Sequence, residues 1–455
     1  MNASASLLEH PWIAVAAALG AFLLLFGLLQ IYARVSGASP EVTRKLLHTG
    51  SGLLTLTFPF LFNDLWPVLL LTSASAMLVG TIKFVPALRA RFGGVSNRVD
   101  RITLGEIYFP VAVAMLFWLT LDEQPLLFVI PVLMLTLADA TGALVGGRYG
   151  ATPYSGAAKS LEGSVAFAVV GFFCVHVPLL LWSDVGRVES VLIAATLALL
   201  VMLLEGSAWR GLDNLFVPIG GYFLLRAYLP LDAASLFARF LVTIGLVCAI
   251  LASRTRTTLE DDSLVAGAFL AYVAWALMGW QWLIAPAAIF VGYSWLSPPT
   301  QDNSRRIHGI SALLSIWAAA VAWLAIASTT GRPALLFPYT IVFAAHLAMF
   351  GISRLGSEFP ERPLAPLLVR AVLTSWVVVL VPYMIAAGGT KEGYGPFFAA
   401  GAIALGAIAL GAVMFVITQR DVRDAPLTRR RWMRQAAAAA VASIAAWISV
   451  EALSR

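Results

Sequence analysis

Apolar runs of about 20 residues recur along almost the whole of this 455-residue chain, and no other feature constrains its fold as strongly. As a helix, a run of that length crosses a hydrocarbon layer of about 30 Å. Lipid offers the backbone no water to bond, so each run must satisfy its own N–H and C=O groups, which means helix. The two-residue alternation of a membrane β-barrel is absent. Apolar residues make up 60% of the chain and charged residues 12%, against about 25% charged in soluble domains. The sequence therefore predicts an all-α, polytopic integral membrane protein. Spans fall near 11–33, 47–62, 66–84, 104–120, 125–147, 163–182, 189–208, 213–230, 235–252, 263–279, 281–297, 309–328, 335–352, 366–388, 395–418 and 433–452. Short neighbours such as 47–62 and 66–84 can also merge or turn back, so the expectation is 14 to 16 spans. The first run has no basic start and no small-residue cleavage site, and reads as a retained helix. Cys174 and Cys248 both sit inside apolar runs and imply no disulfide framework.

Basic residues set the orientation. The connections 34–48, 83–104, 148–162, 209–212, 253–262, 298–308, 353–365 and 419–434 hold 23 of the 30 Lys and Arg. They are expected in the cytoplasm, with the N-terminus outside. The net charge of +6 is carried by these loop residues and points to no nucleic-acid partner. A composition rich in Ala, Arg and Leu fits a bacterial plasma membrane.

Polar residues are spread unevenly. The first half carries Arg44, Lys45, His48, Lys83, Asp100, Arg101, Glu106, Asp139, Lys159, Glu162, Glu205, Asp213 and Asn214 at or inside span ends, all on the expected cytoplasmic side. The second half has sparse intramembrane polar groups such as His346, and its basic residues sit in loops, most densely from Arg429 to Arg434. A division into residues 1–232 and 233–455 follows.

The segment LTLADATGALVGGRYG (Leu135 to Gly150) places Asp139 among apolar residues, nine residues before Arg148. That is about 13 Å along a helix. An ionised group at a span centre costs roughly 2.5–3.5 kcal/mol, so it needs a partner, a proton or a cation. Gly142 and Gly146 share its face. They either leave a groove beside the carboxylate or let another helix pack closely, and Asp139 on the same face favours a site. The following loop delivers Arg148 and Lys159 to the surface. Ser160 can then cap a helix whose first turn holds Glu162, Gly163 and Ser164. A helix start with a lysine and glycines can seat a phosphate. Surface anchoring would by itself explain Lys159, and compensation of the helix dipole would explain Glu162.

In RKLLH, Arg44, Lys45 and His48 enter the second span, with Arg44 and His48 one turn apart. A histidine beside cations is mostly neutral, free to accept a proton or to play a structural part. Glu205, Asp213 and Asn214 surround a tight turn in EGSAWRGLDN. Oxygen ligands of this kind suit a hard cation, although capping by Asp213 would explain them singly. Carboxylates, cations and glycines from several helix ends on one side are what phosphoryl transfer at a membrane surface needs, because such catalysis is mainly positioning and charge stabilisation. Walker A and protein-kinase glycine loops are absent.

Four blocks in order, RKLLH, GEIYFP, LADATGALVGGRYG with KSLEGS, and E with LDNLFVP, resemble the membrane polyprenol kinases over about residues 40–225. That family includes phytol kinase, dolichol kinase and CTP-dependent diacylglycerol kinase, and is related to phosphatidate cytidylyltransferase. The resemblance implies transfer of a phosphate from CTP to the hydroxyl of a lipid alcohol, with Mg²⁺. It implies a nucleotide and metal site at Asp139, Gly142, Gly146, Lys159, Glu162, Gly163 and Ser164, completed by Glu205, Asp213 and Asn214. Arg44, Lys45 and His48 would support it. Asp139 with Asp213 or Glu205 would hold the metal, Lys159 and Arg148 would contact phosphates, and Glu162 or His48 would orient or deprotonate the alcohol. In the second half, Thr257 to Leu283 resembles the start of a membrane family containing phytyl-phosphate kinase, but no second set of site motifs follows. This half is expected to be a structural unit of unknown role. Two other functions compete: cytidylyl transfer to a lipid phosphate, and transport of a lipid or anion. Transport sites commonly lie near the midplane between repeats, unlike polar groups gathered at one face of one half.

Overall fold

A computed structural model of the chain describes residues 10–37, 40–85, 104–155, 159–254, 257–296, 308–387, 394–419, 422–423 and 428–453. Asp100 and Arg101 lie outside them. Among the described residues the protein is all-helical, with two isolated β-bridges and no strand. Two compact units divide it, Met1–Gly245 and Leu246–Arg455.

The first unit contains α1 (Pro11–Ser36), α2 (Pro40–Thr55), α3 (Leu65–Phe84), α4 (Gly105–Thr120), α5 (Leu126–Tyr149), α6 (Leu161–Trp182), α7 (Arg187–Ser207), α8 (Asp213–Tyr228) and most of α9 (Ala233–Ser253). The second contains α10 (Asp261–Met278), α11 (Ile284–Leu296), α12 (Ile310–Thr330), α13 (Leu336–Glu358), α14 (Leu364–Ser375, continued through a π turn to Ala387), α15 (Tyr394–Thr418) and α16 (Arg429–Leu453). Every expected span falls on helix, although 47–62 is broken at Leu56 and Thr57 between Pro40–Thr55 and a short helix Phe58–Leu61. Among the described residues twelve helices are long and apolar enough to cross a membrane, and the chain is an integral, multi-pass membrane protein. The remainder fall short: α2, α4 and α8 have 16 residues each and α11 has 13, or about 20–24 Å at 1.5 Å per residue.

Burial sorts the helices by role. On α1, Leu23, Leu24 and Leu28 are exposed, an arrangement suited to lipid rather than water. On α13 every residue from Phe337 to Phe350 is buried, as expected of a helix that is apolar all round and lies at a bundle's centre. In the first unit that place belongs to α5 and α7. Helix α5 packs against α2, α6 and α8, and so brings together segments far apart in sequence.

Candidate functional site

The site is built around an irregularity in α5. Pro131 lacks an N–H and interrupts the hydrogen-bond ladder. From Met134 to Ala138 the helix then widens to a π turn, and the Asp139 N–H donates to the Met134 carbonyl five residues back. A π turn adds one residue to the helical count. It thereby rotates everything beyond it by about 100° relative to an unbroken α-helix. Asp139 is the first residue after the turn.

Helix α2 meets this turn at its closest point. A Cβ on Gly52 would come within 2.0 Å of the Thr136 hydroxyl oxygen, so only glycine fits. One and two turns before Gly52 on the same face stand His48 and Lys45. The Lys45 ammonium donates to Asp139 Oδ2 at 2.9 Å, with both residues buried. His48 Nε2 lies 3.8 Å from the same oxygen and 3.3 Å from the Leu135 carbonyl. A carbonyl only accepts, so the bond to Leu135 puts the proton on Nε2 and leaves Nδ1 with a bare lone pair.

A second ion pair adjoins the first. Ser160 caps α6 by accepting from the Gly163 N–H. The preceding loop is pinned by bonds from Tyr154 N to the Lys159 carbonyl and from Leu161 N to the Thr152 carbonyl. Lys159 consequently reaches across to α7 and α8. Its ammonium lies 2.7 Å from Glu205 Oε1 and 3.8 Å from Asp213 Oδ2, and also donates to the Glu205 carbonyl. Burial opposes the charge of Lys159, but the carboxylates of Glu205 and Asp213, with Asp139 beyond, hold it above the ordinary lysine range.

The two pairs converge on one point. Asp139, Glu205 and Asp213, from three helices, each present an oxygen within 4.8 Å of the others. Asp139 was expected deep inside a span, yet Glu205 stands two residues before the end of α7 and Asp213 opens α8. Depth along its own helix is therefore not depth in the protein, because α5 continues past the level at which its neighbours end.

Other expected site residues are placed differently. Gly142 and Gly146 do not border an open groove: Cβ atoms there would meet the Gly163 backbone at 3.0 and 3.4 Å, and one on Gly163 would meet the Gly142 carbonyl at 2.7 Å. These three glycines let α5 and α6 touch. Arg148 is exposed, its guanidinium over the ring of Tyr149. Glu162 accepts from the Thr152 N–H, and Ser164 accepts from the Tyr154 hydroxyl, so both anchor the loop that carries Lys159. The Asn214 amide nitrogen lies against Gly105 of α4. Glu106 pairs with Lys83 at 3.6 Å. Arg44 is half-buried on α2. Gly52, Thr136 and the π turn had no place in the sequence reading. The only available signal was the glycine four residues after His48, which marks a close approach.

A curated phytol kinase from Synechocystis sp. is 31% identical to this chain over 221 residues, covering 46% of the chain and 88% of that relative. No protein-family model matches the chain. No solved structure matches it either.

Proposed function

The chain belongs to the polyprenol and phytol kinase family, and from that premise we propose that its first unit phosphorylates an isoprenoid lipid alcohol at the cytoplasmic membrane face, with CTP as donor and Mg²⁺ as metal. The observation that supports this most directly is the meeting of Asp139, Glu205 and Asp213 within 4.8 Å, each from a different helix.

The donor set fits a hard divalent ion. All three ligands are carboxylate oxygens, and Mg²⁺ is usually held by one or two carboxylates, several waters and substrate phosphates. Two ammonium groups against three carboxylates also leave the cluster short of positive charge. When bound, Mg²⁺ would neutralise charge on the nucleotide phosphates. The chain's own groups do the rest. Lys159, kept charged by its acidic neighbours, stands beside the metal ligands, where phosphate oxygens would enter. Lys45 balances Asp139 and fixes its orientation. The bare Nδ1 of His48 accepts the alcohol proton as the oxygen bonds to the γ-phosphorus and the β–γ bridge breaks, releasing CDP. General-base help of this kind contributes typically 10²–10⁴-fold.

The test is incubation of purified protein with Mg²⁺, each nucleoside triphosphate and a panel of phytol, longer polyprenols, diacylglycerol and, as a lipid phosphate, phosphatidate, read by mass spectrometry. The expected products are an isoprenyl monophosphate and CDP. Pyrophosphate with a CDP-lipid would replace this reading with cytidylyl transfer.

A further inference from the structure

The second unit holds a partly open cavity of about 310 Å³, at the lower end of the range for small-molecule sites, and the kinase reading makes no use of it. Its long walls are apolar, with Ile250 of α9, Ala271 of α10, Phe290 of α11, Trp317 of α12 and Phe343 of α13 among them. At one end the lining turns polar, where Ser263, Tyr293 and His308 border it. There the Thr258 hydroxyl donates to the Tyr293 oxygen at 3.2 Å and lies 3.0 Å from His308 Nδ1.

The polar end coincides with helix ends. Ser263 is near the start of α10, Tyr293 near the end of α11, and His308 just before α12. From Ser263 to Ala271 the lining follows α10 for about 12 Å. A single leaflet is roughly 15 Å deep, half of the hydrocarbon core. A space that is polar where helices terminate and apolar for nearly one leaflet matches a single lipid chain with its head at the surface.

Charge at the polar end selects the head. Arg431, itself buried, lies over the Trp432 ring at 5.1 Å, and that ring is 5.9 Å from the His308 ring. Arg354 follows the lining residue Phe350 by one turn of α13 and so shares its face. Its buried Nη1 has no hydrogen-bond partner. Gln435, one turn beyond Arg431, is wholly buried with both amide atoms unbonded. Of the nearby carboxylates, Asp261 pairs with Arg254 at 3.1 Å and Asp262 accepts from the N–H and hydroxyl of Ser263, while Glu260, whose N–H donates to the His308 carbonyl, leaves one negative charge to set against Arg354 and Arg431. A buried donor without an acceptor is costly, and an anionic oxygen would satisfy Arg354 Nη1.

We propose that this cavity binds a single-chain lipid anion, its tail between α10, α11, α12 and α13 and its phosphate or carboxylate at Arg354 and Arg431. The proposal stands independently of the kinase reading. It is tested on the purified full-length protein with photoreactive single-chain probes bearing a carboxylate, a phosphate monoester or a hydroxyl, the labelled peptides being mapped by mass spectrometry. An anionic probe should label α10 and α12 at concentrations roughly ten-fold below the alcohol, and the stronger of the two anions identifies the head. Arg354→Gln should raise the concentration needed for both anions by about the same factor, leaving alcohol labelling as it was. Ala268→Phe, which narrows the cavity, should weaken labelling by all three. Equal labelling by alcohol and anions, labels confined to other helices, or indifference to Arg354→Gln would overturn the proposal, and the Arg354→Gln comparison decides alone if Ala268→Phe fails to fold.

Discussion

At the scale of single residues, the Lys45–Asp139 pair separates stability from chemistry. Removing one partner of a buried ion pair leaves the other uncompensated, at a cost of about 3–5 kcal/mol. Asp139→Asn should therefore lower the melting midpoint and reduce lipid phosphorylation by more than about 100-fold, the scale of losing one electrostatic stabiliser. Adding Lys45→Met to Asp139→Asn should restore most of the melting midpoint and none of the activity. Recovery of activity in the double variant would mean that Asp139 serves only as a structural partner. The need of Asp139 for a partner could be read from its apolar surroundings. Which partner could not, because Lys45 lies 94 residues away and only tertiary packing brings it near. A second residue-scale prediction concerns His308. Burial first, and the Arg431 charge second, push its imidazole down to about 4 from 6.5. Below pH 6.5 the unfolded chain binds a proton that the folded chain does not, so stability falls as pH drops through that window and is flat above it. The slope approaches about 1.4 kcal/mol per pH unit. Melting curves from pH 4 to 7.5 should show this dependence, and His308→Gln should flatten it.

At the scale of elements, the register of α5 decides whether a site exists. Helix periodicity was legible along the chain, since the expected spans fall on helices, with 47–62 alone broken by a turn. The π turn at Met134–Ala138 was not, because hydrogen bonding to the fifth residue leaves no pattern of apolar spacing behind. Without it, Asp139 would point about 100° away from Lys45 and His48. Deleting Leu137 should let the turn relax to regular α-helix, leaving a folded, membrane-inserted protein that lacks kinase activity. Circular dichroism and size-exclusion profiles matching the parent, with at least a roughly 100-fold loss of product, are expected. An active deletion variant would show that the turn does not set the position of the carboxylate. The glycines of the same helix carry the converse lesson. Their spacing from Asp139 fitted both a groove and a packing face, and periodicity alone cannot separate the two, since either requires small residues on one side. The partner helix decides, because Gly163 of α6 fills the space.

At the scale of the whole molecule, the proposed chemistry belongs to one unit. Every group in the converging cluster, from Lys45 to Asp213, lies within Met1–Gly245. The Synechocystis relative is matched over 88% of its length by 46% of this chain, so it has no room for a second unit of comparable size. The polar census of the sequence places a boundary at 232, whereas helix packing divides the chain inside α9. The difference is physical: a loop composition marks where a chain changes direction, not which bundle the following helix joins. Residues 1–253, which keep α9 whole, should therefore fold in the membrane and phosphorylate the same alcohols with kcat within about threefold of the full chain, as expected where a domain carries its own core. The comparison needs equal amounts of monodisperse protein and the same mass-spectrometric assay. A folded but inactive fragment would show that the second unit contributes to catalysis, and the cavity between α10 and α13 would then be the first place to look for how.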